Sequence, residues 1–121
     1  MKKIRSYKDL IVWQKSMLLV EKLYLLTKTF PKEETFNLIS QIRRCAVSIP
    51  SNIAEGKGRG TKKDYRQFLL ISYGSASELE TQIIIAYKLG YLNEKEYQEI
   101  AKSIDEISRI LMTIIRKLNE K

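Results

Sequence analysis

The chain has 121 residues and a mass of 14.2 kDa, enough for one domain with a hydrophobic core and too few for two. Hydrophobic residues make up 44% and charged residues 30%, a balance typical of a folded helical protein rather than a disordered one. Histidine is absent and Cys45 is the single cysteine, so an intrachain disulfide is excluded and a His/Cys zinc site is not expected.

The net charge of +8 is distributed unevenly along the chain. Residues 1–10 carry four Lys/Arg against one acidic residue, and residues 41–67 carry seven against two. The other parts are nearly balanced, with four against three in residues 11–40 and seven against eight in residues 68–121. This asymmetry favours a polyanionic partner such as RNA or DNA. The alternative is a basic surface that serves only solubility.

Residues 1–8 are predicted to form a basic N-terminal tail, and residues 9–121 a single helical domain. Gln14 and Lys15 interrupt the apolar run that follows the tail, so neither a signal peptide nor a transmembrane helix is expected. We therefore expect a cytoplasmic protein without a membrane partner.

The first helix is predicted to begin near Asp9, a candidate N-cap, and to end near Lys28. Steps of three and four residues indicate its core face, which consists of Leu10, Trp13, Met17, Val20, Tyr24 and Thr27. Further leucines widen this face: Leu18, Leu19, Leu23, Leu25 and Leu26. So wide an apolar surface indicates self-association.

The second helix is predicted from about Glu33 to Ala54, after the break at Pro31. At 100° per residue, one apolar stripe contains Leu38, Ile42, Cys45, Ala46, Ile49 and Ile53. Pro50 lies inside this helix and predicts a bend, because proline removes one backbone hydrogen bond and displaces the preceding turn. A helix that ends at Ile49 is the alternative, but Ile53 continues the apolar line and favours the bent helix.

A polar stripe lies about 120° from the apolar stripe on the same helix. It consists of Gln41, Arg44, Ser48, Asn52, Glu55 and, if the helix extends so far, Arg59. This polar stripe requires a partner within the bundle, in another copy of the chain, or in a ligand. Glu78 and Glu80 are interpreted as structural partners of the arginines in the second helix, within the bundle or across subunits. A nucleic-acid contact is the alternative for those arginines, Arg43 and Arg44.

Gly56-Lys57-Gly58-Arg59-Gly60 is predicted to end the second helix in an exposed basic loop. The loop lacks the G-x-x-x-x-G-K-[ST] spacing and the preceding strand of a P-loop, so no nucleotide site is expected. Its backbone amides and cations suit phosphate contacts that do not read sequence. The candidate nucleic-acid-binding residues are Arg43, Arg44, Lys57, Arg59, Lys62, Lys63 and Arg66.

Two further helices complete the prediction. The third spans about Lys62 to Leu89 after the capping-box pattern Thr61–Asp64, and Gly74 in its small-residue middle predicts a close approach of another helix. The fourth spans about Glu94 to Leu118 after a cap at Asn93. Its apolar line is Tyr97, Ile100, Ile104, Ile107, Leu111, Ile114 and Leu118. Four long helices with short connections predict an all-α, antiparallel up-down-up-down four-helix bundle.

The sequence offers little for catalysis. Without histidine, a general acid or base would have to be a carboxylate, a lysine, a tyrosine or Cys45. Glu78 and Glu80 would leave a helix about 160° apart and cannot form a carboxylate dyad. Cys45 lies on the apolar stripe, where a small buried thiol is expected. We expect no catalytic residue, no metal, no cofactor and no small-molecule substrate.

Four segments occur in the order that is typical of a known family: Tyr7–Lys15, Phe30–Glu34, Gln41–Gly56 and Gly74–Glu80. In these segments the chain resembles the four-helix-bundle proteins encoded in intervening sequences of bacterial 23S ribosomal RNA genes. The resemblance covers about residues 7–92 and is most specific in Gln41–Gly56, whereas the fourth helix matches only in periodicity. Cys45 stands where a small residue such as alanine is more usual.

The resemblance implies a four-helix bundle that assembles into a ring-like homopentamer. It also implies kinship with the accessory proteins of diversity-generating retroelements, which are basic, pentameric and bind nucleic acid. The basic segment at residues 41–67 and the basic tail support the leading hypothesis, a non-catalytic homo-oligomer that binds structured RNA or DNA through phosphates. The alternative is a structural or adaptor oligomer that binds a protein partner and has no direct nucleic-acid role.

Overall fold

The computed structural model describes residues 6–119, which form four α-helices around one core. The helices are α1 (Ile11–Thr27), α2 (Leu38–Gly58), α3 (Lys62–Lys88) and α4 (Glu94–Leu118), with short 3-10 turns at Tyr7–Asp9 and Lys32–Glu34. No strand occurs in residues 6–119, so the all-α prediction is confirmed. Most of the predicted basic tail, residues 1–5, lies outside the described residues.

Contacts between α2 and α3 run in opposite chain directions. The Ser72 hydroxyl donates a hydrogen bond to the Ile49 carbonyl at 2.9 Å, and the Cys45 thiol donates to the Ser75 carbonyl at 3.2 Å. Moving forward along α3 therefore means moving backward along α2. Two other neighbouring pairs of helices show the same opposite order: Lys15–Glu106 and Lys22–Glu99 for α1 and α4, and Arg66–Ile115 and Tyr87–Tyr97 for α3 and α4.

The apolar stripe of α2 is confirmed as the centre of the core. All six of its predicted members are buried, and Ile42 and Ile53 are completely inaccessible. In α4, five residues at three- and four-residue steps are buried: Ile100, Ile104, Ile107, Leu111 and Ile115. The last of these replaces Ile114, which is half-buried together with the predicted Tyr97 and Leu118. Both helices were thus assigned to the correct face from periodicity, apart from the last turn of α4.

The predicted start and core face of α1 are wrong. Asp9 does not cap α1; it closes a capping box with Ser6 in the preceding 3-10 turn, and α1 begins at Ile11. The buried residues are Val12, Ser16, Leu19, Leu23 and Thr27. The core face therefore lies beside the predicted line: it shares Thr27 with that line, and Leu19 and Leu23 with the leucines predicted to widen it. Burial of the two hydroxyls is tolerated because each donates to a backbone carbonyl four residues earlier, at 2.6 and 2.7 Å.

The helix α2 begins later and ends later than predicted. It starts at Leu38 rather than Glu33, because residues 32–34 form a separate 3-10 turn, and it continues through the buried Pro50 to Gly58. The alternative end at Ile49 is therefore wrong. The chain reverses at Gly60, whose φ of 87° is readily available only to glycine.

The close helix approach occurs at Gly56 and not at the predicted Gly74. A β-carbon at Gly56 would lie 2.7 Å from the Phe68 β-carbon and 3.2 Å from the Tyr65 carbonyl oxygen. A β-carbon at Gly74 would meet nothing within 4 Å. The predicted bounds of α3 and α4 hold to within one residue, with Thr61 and Asn93 as side-chain caps. Within residues 6–119, no helix is long and apolar enough to cross a membrane.

Candidate nucleic-acid interface

Five of the seven candidate cations lie at one end of the bundle, where α2 passes into α3. Lys57 occupies the last turn of α2, and Arg59 follows directly as its C-cap. Lys62, Lys63 and Arg66 lie in the first two turns of α3. This grouping follows from the tight turn at Gly60, which brings the two helix ends together.

Aromatic rings of α3 support two of these cations. The Lys57 ammonium lies 5.2 Å from the centre of the Tyr65 ring, and the Arg59 guanidinium lies 5.0 Å from the centre of the Phe68 ring. Arg59 also pairs with Glu55 at 3.0 Å, but both side chains remain about half exposed. The cations are therefore positioned by packing while their charge faces solvent.

The antiparallel topology brings three further cations to this end, Lys8, Arg116 and Lys117, which are distant in sequence from the other five. Arg66 donates to the Ile115 carbonyl at 3.3 Å, which places the last turn of α4 beside the start of α3. Tyr7 lines a groove with Ser51 and Ala54, which places the start of the chain beside the end of α2. We define the basic end by its eight cations: Lys8, Lys57, Arg59, Lys62, Lys63, Arg66, Arg116 and Lys117. Within residues 6–119, three carboxylates belong to the same end: Asp9, Glu55 and Asp64.

Arg43 does not belong to the basic end and is engaged within the bundle. Its Nε donates to the Thr27 hydroxyl at 2.9 Å and its Nη2 donates to the Tyr24 carbonyl at 3.2 Å. The guanidinium also lies 4.5 Å from the centre of the Tyr24 ring. Arg43 therefore joins α2 to α1. In the described part of the chain, residues 6–119, it forms no ion pair with Glu78 or Glu80, its expected partners.

Arg44 lies about 20 Å along α2 from Lys57, at 1.5 Å per residue, so it is also separate from the basic end. Within residues 6–119 it forms no ion pair with Glu78 or Glu80, so the predicted pairing inside the chain is wrong. Arg44 and Glu78 instead line the same open cleft between α2 and α3. A pairing across subunits stays a prediction.

This polar cleft has a volume of about 510 Å³ and is lined by Phe36, Ser40, Gln41, Arg44, Cys45, Ser48, Ser75 and Glu78. The first half of the predicted polar stripe, Gln41, Arg44 and Ser48, thus lies on the α2 wall of the polar cleft. Ser48 and Ser75 join the two helices through a hydroxyl–hydroxyl hydrogen bond of 2.9 Å, and the Asn52 amide donates to the Ser48 hydroxyl at 2.9 Å. Glu55, at the end of the stripe, pairs with Arg59 instead.

The Cys45 thiol is 6% exposed and is held in its protonated form. Burial, with the negative charge of Glu78 beside it, raises the pKa of Cys45 from 9.0 to about 11. Alkylation by iodoacetamide at pH 8 is expected to be at least about 100-fold slower than for a free cysteine, because only the thiolate reacts. The rate should rise steeply as the pH approaches 11.

The same shift lowers stability at alkaline pH. Because the folded chain holds this proton more tightly than the unfolded chain, the free energy of unfolding falls between about pH 9 and 11 and is unaffected below that range. Glu78→Gln is the control for the alkylation test, since loss of the carboxylate lowers the pKa of the Cys45 thiol and speeds the reaction. Rapid alkylation of the wild-type chain at pH 8 would contradict this assignment.

In the part of the chain that the structure describes, no group of three His, Cys, Asp or Glu residues is placed to hold a metal ion.

Comparisons with known proteins agree with the fold. No curated protein matches the chain. Among solved structures, the chain is similar to a protein of unknown function from the S23 ribosomal protein family of Bacteroides thetaiotaomicron, with 27% sequence identity and a TM-score of 0.81. The alignment covers 88% of this chain and 99% of that one. The sequence model for the 23S rRNA-intervening sequence protein matches residues 8–113, nearly the whole bundle, and the chain therefore belongs to the 23S rRNA-intervening sequence protein family.

Proposed function

We propose that this chain is a non-catalytic, basic helical-bundle protein that assembles into a homo-oligomer and binds structured RNA or DNA mainly through phosphate contacts. The observation that carries the proposal is the basic end, where eight Lys/Arg residues from four separate chain segments lie at one end of the bundle against three acidic residues within residues 6–119. Clustered cations of this kind neutralise phosphates and release the counterions of the nucleic acid.

The chemistry of the basic end favours positioning on a backbone over reading of base sequence. Its cations lie on exposed helix ends and a turn rather than along one helix that could enter a major groove. Lys and Arg on such ends contact phosphates of any sequence. We therefore propose recognition of backbone charge and shape.

Assembly would multiply these contacts. A homopentamer, the state implied by the resemblance in sequence, presents five basic ends, so weak contacts of each subunit combine into strong binding of one polyanion. The exposed apolar residues on the outside of α1 support self-association: Ile11, Leu18 and Leu25, each about 64% exposed and seven residues apart.

Salt dependence tests the proposal. The affinity of the purified protein for a labelled RNA hairpin and a DNA duplex, measured by fluorescence anisotropy between about 50 and 200 mM salt, is expected to fall with a log–log slope of several units. Such a slope is the signature of several phosphate contacts released together. Absence of binding at the lowest salt would overturn the proposal.

The second candidate function is a structural or adaptor oligomer whose partner is another protein. The exposed apolar stripe on α1 is compatible with both candidates, since such surfaces mark protein interfaces between copies of a chain as well as with a partner. A packed protein interface is expected to keep its affinity across the same salt range, because buried apolar contacts are not screened. The salt titration therefore separates the two functions.

A further inference from the structure

The polar cleft between α2 and α3 is separate from the phosphate contacts assigned to the basic end. We infer that this cleft binds one unpaired base of a nucleic-acid strand, stacked on Phe36, with Arg44 and Glu78 contacting the nucleotide from opposite walls. The inference rests on the proposed function, since it names the feature of the nucleic acid that the chain recognises. It assigns a base-reading role to the part of the polar stripe that lines the cleft, Gln41, Arg44 and Ser48, which the phosphate contacts leave unused.

Phe36 provides the stacking surface. Its side chain is 91% exposed, more than any other large apolar side chain of the described residues, and it lies at the rim of the polar cleft. The 3-10 turn of residues 32–34 and the start of α2 hold its backbone on both sides. An exposed aromatic ring beside polar groups is the usual platform for an unstacked base.

Three side chains of α2 supply unused hydrogen-bonding groups. Ser40, Gln41 and Arg44 all line the cleft, and none of their side chains forms a hydrogen bond or ion pair with another residue in 6–119. The Arg44 guanidinium offers a planar fork of donors that fits a phosphate or the acceptor edge of a base. The Gln41 amide offers both a donor and an acceptor.

Glu78 gives the cleft a preference among bases. Its carboxylate stands on the α3 wall and is exposed, with the Cys45 thiol beside it and a long contact of 3.5 Å from the Gln82 amide. A carboxylate accepts hydrogen bonds and offers none at neutral pH, so it favours a base that presents an amino group. Cytosine presents such a group where uracil presents a carbonyl, and the cleft should therefore prefer cytosine to uracil.

The dimensions of the cleft suit one nucleotide. Its volume of about 510 Å³ lies within the range of small-ligand sites. Hydrogen bonds that join Ser48 and Cys45 to Ser75 hold α2 and α3 together along the cleft. Bases within a duplex stay stacked and paired, so only an unpaired base can enter.

A second copy of the chain is the competing occupant. Interface cores are depleted of charged residues, yet both Arg44 and Glu78 are exposed at the centre of this surface without pairing with each other. The concave, charged lining therefore favours a small polar ligand over a packed protein surface. The oligomer measurement below decides between them.

Binding of short strands tests the inference. Labelled oligocytidine, oligouridine and a duplex, each of about 12 nucleotides, are titrated at constant salt. Phe36→Ala is expected to weaken oligocytidine binding by about 10-fold, while duplex affinity stays within about twofold. Phe36→Tyr keeps the ring and should keep the affinity, and Leu89→Ala is the matched control for loss of an exposed apolar side chain elsewhere. Glu78→Gln should remove the preference for cytosine over uracil.

Unchanged oligocytidine affinity in Phe36→Ala, or an equal loss for strand and duplex, would overturn the inference and leave the proposed function standing. Light scattering of Phe36→Ala and Arg44→Gln should give the wild-type oligomer mass. A changed mass would assign the cleft to a contact between copies and overturn the inference. Cytidine monophosphate tests the cleft independently of strand binding: saturable amide NMR shifts at Gln41 and Ser75 support the inference, and absence of shifts up to about 10 mM overturns it.

Discussion

Replacement of Lys57, Arg59, Lys62 and Lys63 together by glutamine is expected to weaken binding to duplex DNA or structured RNA by at least about 100-fold near 100 mM salt. Each phosphate contact that is lost lowers the log–log salt slope by about one, so the slope should fall by up to about four. The effect is larger in a homo-oligomer, because every subunit loses the same contacts. Anisotropy titrations at several salt concentrations measure the affinity and the slope together.

The four substitutions should leave the fold intact. All four side chains are exposed, and none contributes to the core. Within residues 6–119 the four side chains form one ion pair, between Arg59 and Glu55; it is half exposed on both sides and contributes less than about 1 kcal/mol. Circular dichroism and thermal unfolding of the variant should therefore match the wild type.

A matched control distinguishes the effect on affinity of where the positive charge lies from the effect of how much charge is lost. Four exposed lysines lie at the opposite end of the bundle: Lys28, Lys32, Lys88 and Lys95. Their replacement by glutamine changes the net charge by the same amount, but they lie among the carboxylates of the other helix ends. This control should lose no more than a few fold in affinity. Equal losses in both variants would mean that affinity follows total charge, and the assignment of the basic end would be wrong.

Periodicity was sufficient where a helix has one apolar face. In α2 the residues opposite Ile42 and Ile49 are polar, so only one orientation buries the apolar stripe, and the structure has that orientation. The fourth helix is predictable for the same reason. In both, local sequence and tertiary packing favour the same face.

Periodicity could not choose a face in α1, which carries apolar residues on nearly every side. Its exposed residues include Ile11 and Leu18, while Ser16 is buried at 0% exposure. The Ser16 hydroxyl can be buried because it donates a hydrogen bond to the Val12 carbonyl. The spacing of apolar residues in the sequence does not reveal this local contact. Because several faces of α1 are equally apolar, its packing against α2 and α4 decides which face is buried.

The basic end was predictable only where its residues are close in sequence. Lys57 to Arg66 form a continuous basic stretch that sequence alone reveals, whereas Lys8, Arg116 and Lys117 join it only because antiparallel helices bring their ends together. The role of Arg44 depends on which groups of α3 face it. Its distance from Lys57 follows from helix geometry once α2 is known to continue through Pro50.

The second large effect is expected for Gly56→Ala, which should destabilise the chain by about 1–3 kcal/mol. The new methyl group would lie 2.7 Å from the Phe68 β-carbon, an atom fixed to the backbone of α3 that no side-chain rotation can move away. The helices must therefore separate, and the gain in helix propensity of up to about 1 kcal/mol does not offset this. Urea denaturation measures the change. The sequence does indicate that Gly56 lies on the core side of α2, since Gly56 continues the apolar line three residues beyond Ile53.

Gly58→Ala and Gly74→Ala are the controls, because a β-carbon at either site meets nothing within 4 Å in a helical position. Both should stabilise the chain by about 0.5–1 kcal/mol through reduced freedom of the unfolded state. Destabilisation by Gly58→Ala as well as by Gly56→Ala would show that geometry at the end of α2, and not the contact at Phe68, limits the site. Gly56→Ala should also weaken duplex binding while Gly58→Ala does not. Gly56 packs against the two rings that support Lys57 and Arg59, so separating α2 from α3 displaces the cations themselves.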